Sequence, residues 1–213
     1  MNLSQLIEAA RARLDDEVSS AYRYSTTQLT HFINEANSEA HRRTRFRIDN
    51  SMRVSVVAGT SMYYTPDGVI FLQRAKLTSE DTPLIFESYK TLDEYQAGWQ
   101  THTGTPTHIL LDLSIEKFTL YPTPDLAGTL ELVAIIEPEQ ITCETELPQR
   151  FGYGLIDWVC YRAYQMNDID KNNIPLSKAY LDSFESEFGT RSSAKDEIFN
   201  ARNRPFDNFD GNF

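Results

Sequence analysis

An α+β fold is predicted by a hydrophobic period that changes twice along the 213-residue chain. Apolar residues recur every three to four positions as far as Ala40, alternate every second position through the middle, and return to helical spacing from Leu147. The pattern predicts a mostly antiparallel helical bundle, two helices from each end of the chain, carrying an inserted antiparallel β module. Residues 1–50 and 146–190 form the two halves of the bundle, 51–145 the β-rich module and 191–213 an extended tail. A single amphipathic hairpin cannot bury its own stripe, so the two helical halves are expected to pack together.

Asn2, with Gln5 three residues on, caps a first helix whose Leu6, Ile7, Ala10 and Leu14 form an apolar stripe. Asp15-Asp16-Glu17 follows and reads as solvated surface. A second helix starts at Ser25, where Gln28 completes a capping box and Tyr24 and Leu29 are spaced to close a hydrophobic staple. Leu29, Phe32, Ile33, Ala36 and Ala40 line one face of it. Arg42, Arg43, Arg45 and Arg47 crowd its end, where cations complement the negative pole of a helix. Two readings stay open for these arginines: helix-end electrostatics with salt bridges, or a basic patch for an acidic partner chain or nucleic acid.

After Asp49-Asn50 the period becomes two, with Met52, Val54 and Val56 alternating with Arg53 and Ser55, and Gly59 marks a turn. Val69–Leu77 and Leu84–Phe86 are further strands. Thr91 and Glu94 form another capping box and start a short helix through Tyr95 toward Trp99. Gly104-Thr105-Pro106 leads into Ile109–Leu113, Phe118 and Leu120 alternate up to Tyr121, Pro122-Thr123-Pro124-Asp125 turns the chain, and Leu130–Ile136 is a last strand. About six strands are expected.

The closing helical hairpin is the most regular stretch. Phe151, Leu155, Val159, Ala163 and Met166 line one helix, and Asp168–Asn173 connects to the next, its carboxylates placed to cap it. Pro175 opens that helix, Leu176, Tyr180, Phe184 and Phe188 follow at i+4 spacing, and Gly189 ends it. Beyond it the tail sets Arg202 and Arg204 before Phe206, Phe209 and Phe213, spaced by Asp, Asn and Gly. Exposed phenylalanines on a polar end suit docking into a groove on another chain, or folding back over their own domain.

Charge is uneven within a net −11. Residues 1–50 hold seven basic and seven acidic side chains, 51–145 five against thirteen, and 146–213 eight against eleven. An acidic chain of this kind does not coat phosphate or anionic lipid with its whole surface. Cys143 and Cys160 have no metal or redox spacing and are expected as buried free thiols in a reducing cytoplasm. No apolar run is long enough to span a bilayer, and the N-terminus lacks a basic, apolar leader.

Signatures of phosphate-loop, dinucleotide, zinc-protease and nucleophile-elbow enzymes are missing. His31, His41, His102 and His108 have no ligand spacing among them. Asp168-x-Asp170-x-Asn172 begins like a calcium loop, but Asn173 stands at the sixth position and Ala179 at the twelfth, where the turn glycine and the bidentate glutamate are needed. No catalytic residue, metal or cofactor is expected. Trp99, Tyr63 and Tyr64 offer the alternative of sugar platforms in a carbohydrate-binding or hydrolytic module.

Five stretches together, Leu14-Asp15-Asp16-Glu17, Phe32-Ile33-Asn34-Glu35-Ala36, Gly104-Thr105-Pro106, Leu120-Tyr121-Pro122-Thr123-Pro124-Asp125 and Trp158-Val159-Cys160-Tyr161-Arg162-Ala163-Tyr164, resemble the head-to-tail adaptor (connector) proteins of tailed bacteriophages. The resemblance spans roughly residues 3 to 190. It implies a non-enzymatic virion protein of the neck, made in the host cytoplasm, whose copies form a ring of twelve beneath the portal. Such a ring extends the DNA channel without reading sequence and receives the tail components. It further implies that Phe206, Phe209 and Phe213 anchor in the portal protein, with Arg202 and Arg204 on acidic portal surface. A tail-terminating ring is the alternative within the same class.

Overall fold

The computed structural model describes residues 1–114, 116–143, 147–166 and 173–191. Its helices are α1 (Leu3–Arg13), α2 (Thr26–Thr44), α3 (Tyr89–Tyr95), α4 (Gly152–Tyr164) and α5 (Ile174–Phe188). Its strands are β1 (Ile48–Val56), β2 (Met62–Tyr64), β3 (Val69–Leu77), β4 (Ile85–Glu87), β5 (Thr103–Gly104), β6 (His108–Leu110), β7 (Lys117–Tyr121), β8 (Thr123–Pro124) and β9 (Gly128–Ile136). The fold is α+β. It divides into two compact units, one of Met1–Arg47 with Glu137–Arg191 and one of Ile48–Ile136.

In the helical unit both N-terminal capping boxes form. Asn2 Oδ1 accepts from the Gln5 backbone N–H at 2.8 Å while Gln5 Oε1 accepts from the Asn2 N–H at 3.0 Å. Ser25 and Gln28 repeat the exchange at 3.1 and 2.9 Å. The staple pair Tyr24 and Leu29 is buried, and burial pushes the Tyr24 phenol up to about 12 while its hydroxyl donates to the Ala163 carbonyl. Helix α4 lies at the centre: every residue from Gly154 to Cys160 is buried, and α1, α2 and α5 all pack on it. Gly154 lets α5 approach, since a Cβ there would sit 2.6 Å from a Phe188 ring carbon and would also strike Glu187.

The acidic run after α1 departs from expectation. Asp16 is buried, not solvated. Its carboxylate accepts from Arg11 at 2.8 Å and from the backbone N–H groups of Arg23 and Tyr24 at 2.6 and 3.2 Å. Arg11 also donates to the Tyr24 carbonyl and to Thr26 Oγ1, and lies 3.5 Å over the Tyr22 ring. A charge periodicity cannot reveal this, because a buried carboxylate is stable only when its donors converge from elsewhere in the chain. At α5 the cap is the Asn173 carboxamide, which accepts from the Leu176 N–H at 3.1 Å, whereas Asp168 and Asp170, expected in that role, lie outside the described residues. Pro175 occupies the first turn and Gly189 ends the helix at φ 84°.

The second unit holds three sheets: β1-β9-β3, antiparallel throughout, and β2-β7-β6-β4 share one core, and β5-β8 is a two-stranded third. Val56, Leu72, Ala75 and Leu132 meet Ile109, Phe118 and Leu120 in that core. Two pairings correct the antiparallel expectation. β4 runs parallel to β6, and β5 parallel to β8. The chain between β4 and β6 crosses over through α3, and a crossover returns a strand in the same direction. Three short strands beyond the predicted six are β2, β5 and β8, the last inside the predicted proline turn. The helix expected to start with Thr91 and Glu94 starts earlier, capped by Ser88, whose hydroxyl accepts from Lys90 N–H and donates to Asp112. Asp112 also takes the Tyr89 N–H at 3.2 Å, so a carboxylate remote in sequence chose the boundary.

Of the two cysteines, Cys160 is buried and Cys143 exposed, which corrects the expectation of two buried thiols. Burial pushes the Cys160 thiol up to about 12. At pH 8 in native protein, iodoacetamide should label Cys143 and leave Cys160 unmodified, with both labelled in urea, as read by mass spectrometry. Asp16→Ala should lower unfolding stability by roughly 3–5 kcal/mol, because it strands the Arg11 guanidinium. Glu17→Ala, on exposed chain, should stay within about 0.5 kcal/mol in the same urea titration.

Candidate interaction site at the helix-end arginines

Helix α2 ends without a glycine. Arg45 takes the left-handed conformation instead, φ 52° and ψ 38°, and its N–H returns to the His41 carbonyl at 2.8 Å. That stop sets Arg42 and Arg43 in the last helical turn and Arg47 on the extended chain beyond. The four arginines then part company.

Arg43 is an internal clamp. Its side chain is 4% exposed. Nε donates to Glu39 one turn back at 3.1 Å, and the terminal nitrogen reaches Glu185 at 3.3 Å and the Gly189 carbonyl at 2.8 Å. The guanidinium lies 5.0 Å from the Phe184 ring and 5.6 Å from Trp158. One cation thus joins α2 to the end of α5, satisfying a carbonyl that the helix terminus leaves over. Arg47 is committed as well, to the Glu137 carbonyl at 2.8 Å and Glu139 at 3.2 Å. Arg42 and Arg45 are half-buried on the same helix end. The basic patch therefore splits into structural and surface members.

Sequence spacing did not disclose the groups assembled around this end. Phe46, 43% exposed, meets Phe151 at 6.4 Å between ring centroids. Phe151 meets Phe188 at 5.6 Å, and Phe188 meets Phe184 at 4.6 Å. Arg150 stacks 4.7 Å over Phe151, and Arg191, the last described residue, approaches Glu39 at 3.8 Å. The i+4 pair Glu39–Arg43 was the one legible signal. Arg202, Arg204, Phe206, Phe209 and Phe213 lie outside the described residues.

Elsewhere, polar groups are turned to structural use. Trp99 is buried, donates its indole N–H to Asp93 at 2.7 Å and packs edge-on against Tyr121, so it offers no face to a sugar. Tyr63 stacks on Phe118 and its hydroxyl pins Val57 and Thr60. Of the three platform candidates only Tyr64 is exposed, with Lys117 4.3 Å over its ring. His102 meets the Tyr121 hydroxyl and His108 the Thr107 hydroxyl. A cleft of about 170 Å³ is lined by Arg13, Asp157, Leu176, Ala179, Tyr180 and Ser183, but Asp157 already holds Arg13 at 3.4 Å and Ser183 at 2.6 Å. Among the described residues no three His, Cys, Asp or Glu converge as metal ligands, and no helix is long and apolar enough to cross a membrane.

Arg43→Ala should cost roughly 2–4 kcal/mol, since it leaves Glu185 and the Gly189 carbonyl without their donor. Arg42→Ala should cost under about 0.5 kcal/mol. Paired urea denaturation curves distinguish clamp from surface cation.

Compared with known families, residues 1–206 match a family model described as SU10 adaptor protein. No curated protein matches the chain. The match runs through Arg202, Arg204 and Phe206 and stops short of Phe209 and Phe213.

Proposed function

Since the chain belongs to the SU10 adaptor protein family, a phage structural family, we propose that it is a head-to-tail adaptor whose copies close into a ring beneath the portal. The helical unit serves as the body of each subunit and the β unit as an insertion borne by it. Closed cyclic symmetry multiplies a modest subunit interface around the ring. DNA passes along an axis whose acidic wall repels phosphate and so lets the duplex slide. Binding and geometry do the work, with no catalytic step.

The observation that carries this reading is the clamp at the end of α5. Arg43 holds the Gly189 carbonyl and Arg191 approaches Glu39, so the sequence from residue 192 onward leaves a fixed point on the helical body. A segment intended for a second protein gains affinity when its root is preorganised, because less freedom is lost on docking. Phe206, Phe209 and Phe213 are the apolar anchors, and Arg202 and Arg204 meet acidic portal surface.

Deleting Phe206–Phe213 should abolish assembly on purified portal rings, seen by negative-stain electron microscopy, while thermal unfolding of the subunit is unchanged. Normal assembly by the truncated chain would overturn portal docking. In infected cells, disrupting the gene should give DNA-filled heads beside finished, unattached tails.

A further inference from the structure

The row of rings at the helix-end site has an exposed, cationic end. Phe46 is 43% exposed, Arg150 is exposed above Phe151, and the Arg191 side chain is 59% exposed where α5 ends. Phe151 links Phe46 to Phe188 and lies beneath Arg150. Two acidic groups near this row are already engaged, Glu39 by Arg43 and Arg191 and Glu185 by Arg43, while the Glu187 carboxylate lies against Gly154 beside Phe188. An aromatic surface rimmed with arginine stands out on a chain of net charge −11.

One segment of the same chain complements it. Residues 206–213 read Phe-Asp-Asn-Phe-Asp-Gly-Asn-Phe, with three phenylalanines, two aspartates and no basic residue. Phenylalanine suits the Phe46–Phe151 row, and aspartate suits the Arg150 and Arg191 rims. Phe206 lies fifteen residues beyond Arg191, a reach of up to about 50 Å when extended.

We propose that in the unassembled subunit the segment Phe206–Phe213 latches onto the Phe46–Phe151–Arg150 surface of its own chain, and that portal competes it away. A tether of this length gives an effective concentration on the order of mM, so even a contact of about 0.1 mM affinity closes the latch in roughly nine molecules of ten. The latch covers the apolar anchors until their partner is present, which opposes premature self-association. Release by portal rests on the docking reading above; the latch itself does not.

Hydrogen–deuterium exchange on the full chain tests it. Amides of residues 206–213 should exchange about tenfold more slowly than in a synthetic peptide of that sequence. Phe46→Ser and Arg150→Glu should each remove the protection. So should the double change Asp207→Arg with Asp210→Arg. Adding Arg150→Glu and Arg191→Glu to that double change should restore it. Exchange as fast as the free peptide, or protection that survives both Phe46→Ser and Arg150→Glu, would overturn the latch. Protection lost on tenfold dilution would also overturn it, since an own-chain contact is independent of concentration. Intact protection in the full chain, together with normal assembly on portal by the chain lacking Phe206–Phe213, would remove portal docking and leave the latch standing.

Discussion

Burial of the Gly154–Cys160 stretch of α4 on every side is the constraint from which the helical unit follows. A helix stretch surrounded this way can present no open polar face, so three neighbours must supply matching surfaces and its buried charge must find partners inside, whereas the Trp158 indole N–H is buried without a hydrogen-bond partner. Leu155, Val159 and Ala163 meet the core stripes of α1, α2 and α5, and Gly154 thins the helix where Phe188 crosses it. Asp157 would be prohibitive alone; Arg13 from α1 and Ser183 from α5 make it acceptable. Those two contacts also tie both neighbours to the centre, which makes a buried charge a device for fixing how the helices align.

The same economy shows in the connections. Asp16 gathers Arg11 and two backbone N–H groups, turning the twelve-residue link between α1 and α2 into a defined structure. Arg43 does this at the other end of α2, where a single guanidinium serves two carboxylates and a carbonyl. Arginine suits such sites because its planar fork donates in several directions while remaining charged. In the β unit the long outer strand β1 is treated differently. Asp49 bonds the Ser51 N–H at a break in register, and Arg53 donates to the Asn50 and Met52 carbonyls. Edge carbonyls occupied in this way are poor templates for another strand, which turns attention to the ring row and arginines of the helical unit as the surface available to partners.

An adaptor must hold its parts rigidly yet offer them only at the right time, and the helix-end site combines both demands. Arg43 and Arg47 immobilise the region, while Phe46 and Arg150 stay at its surface. Rigid aromatic groups beside arginine give contact area at low entropic cost.

Local rules determined a great deal of this protein without any structure. Asn2, Ser25, Pro175 and Gly189 fix helix ends because each acts on groups within four residues, and the shift of period at Met52 and at Leu147 separates strand from helix for the same reason. Charge and the absence of catalytic spacing narrowed the functional class, and five dispersed stretches pointed to the adaptor family that the match over residues 1–206 bears out. Tertiary structure decided the rest. Asp16 went inside because Arg11 and the backbone of residues 23 and 24 converge on it, and α3 begins at Tyr89 because Asp112 arrives from the loop after β6. The parallel β4–β6 pair depends on a crossover whose path no local pattern encodes. Four arginines within six residues looked alike in sequence, and only the carbonyl of Gly189, brought 146 residues back to Arg43, separated a clamp from a surface charge.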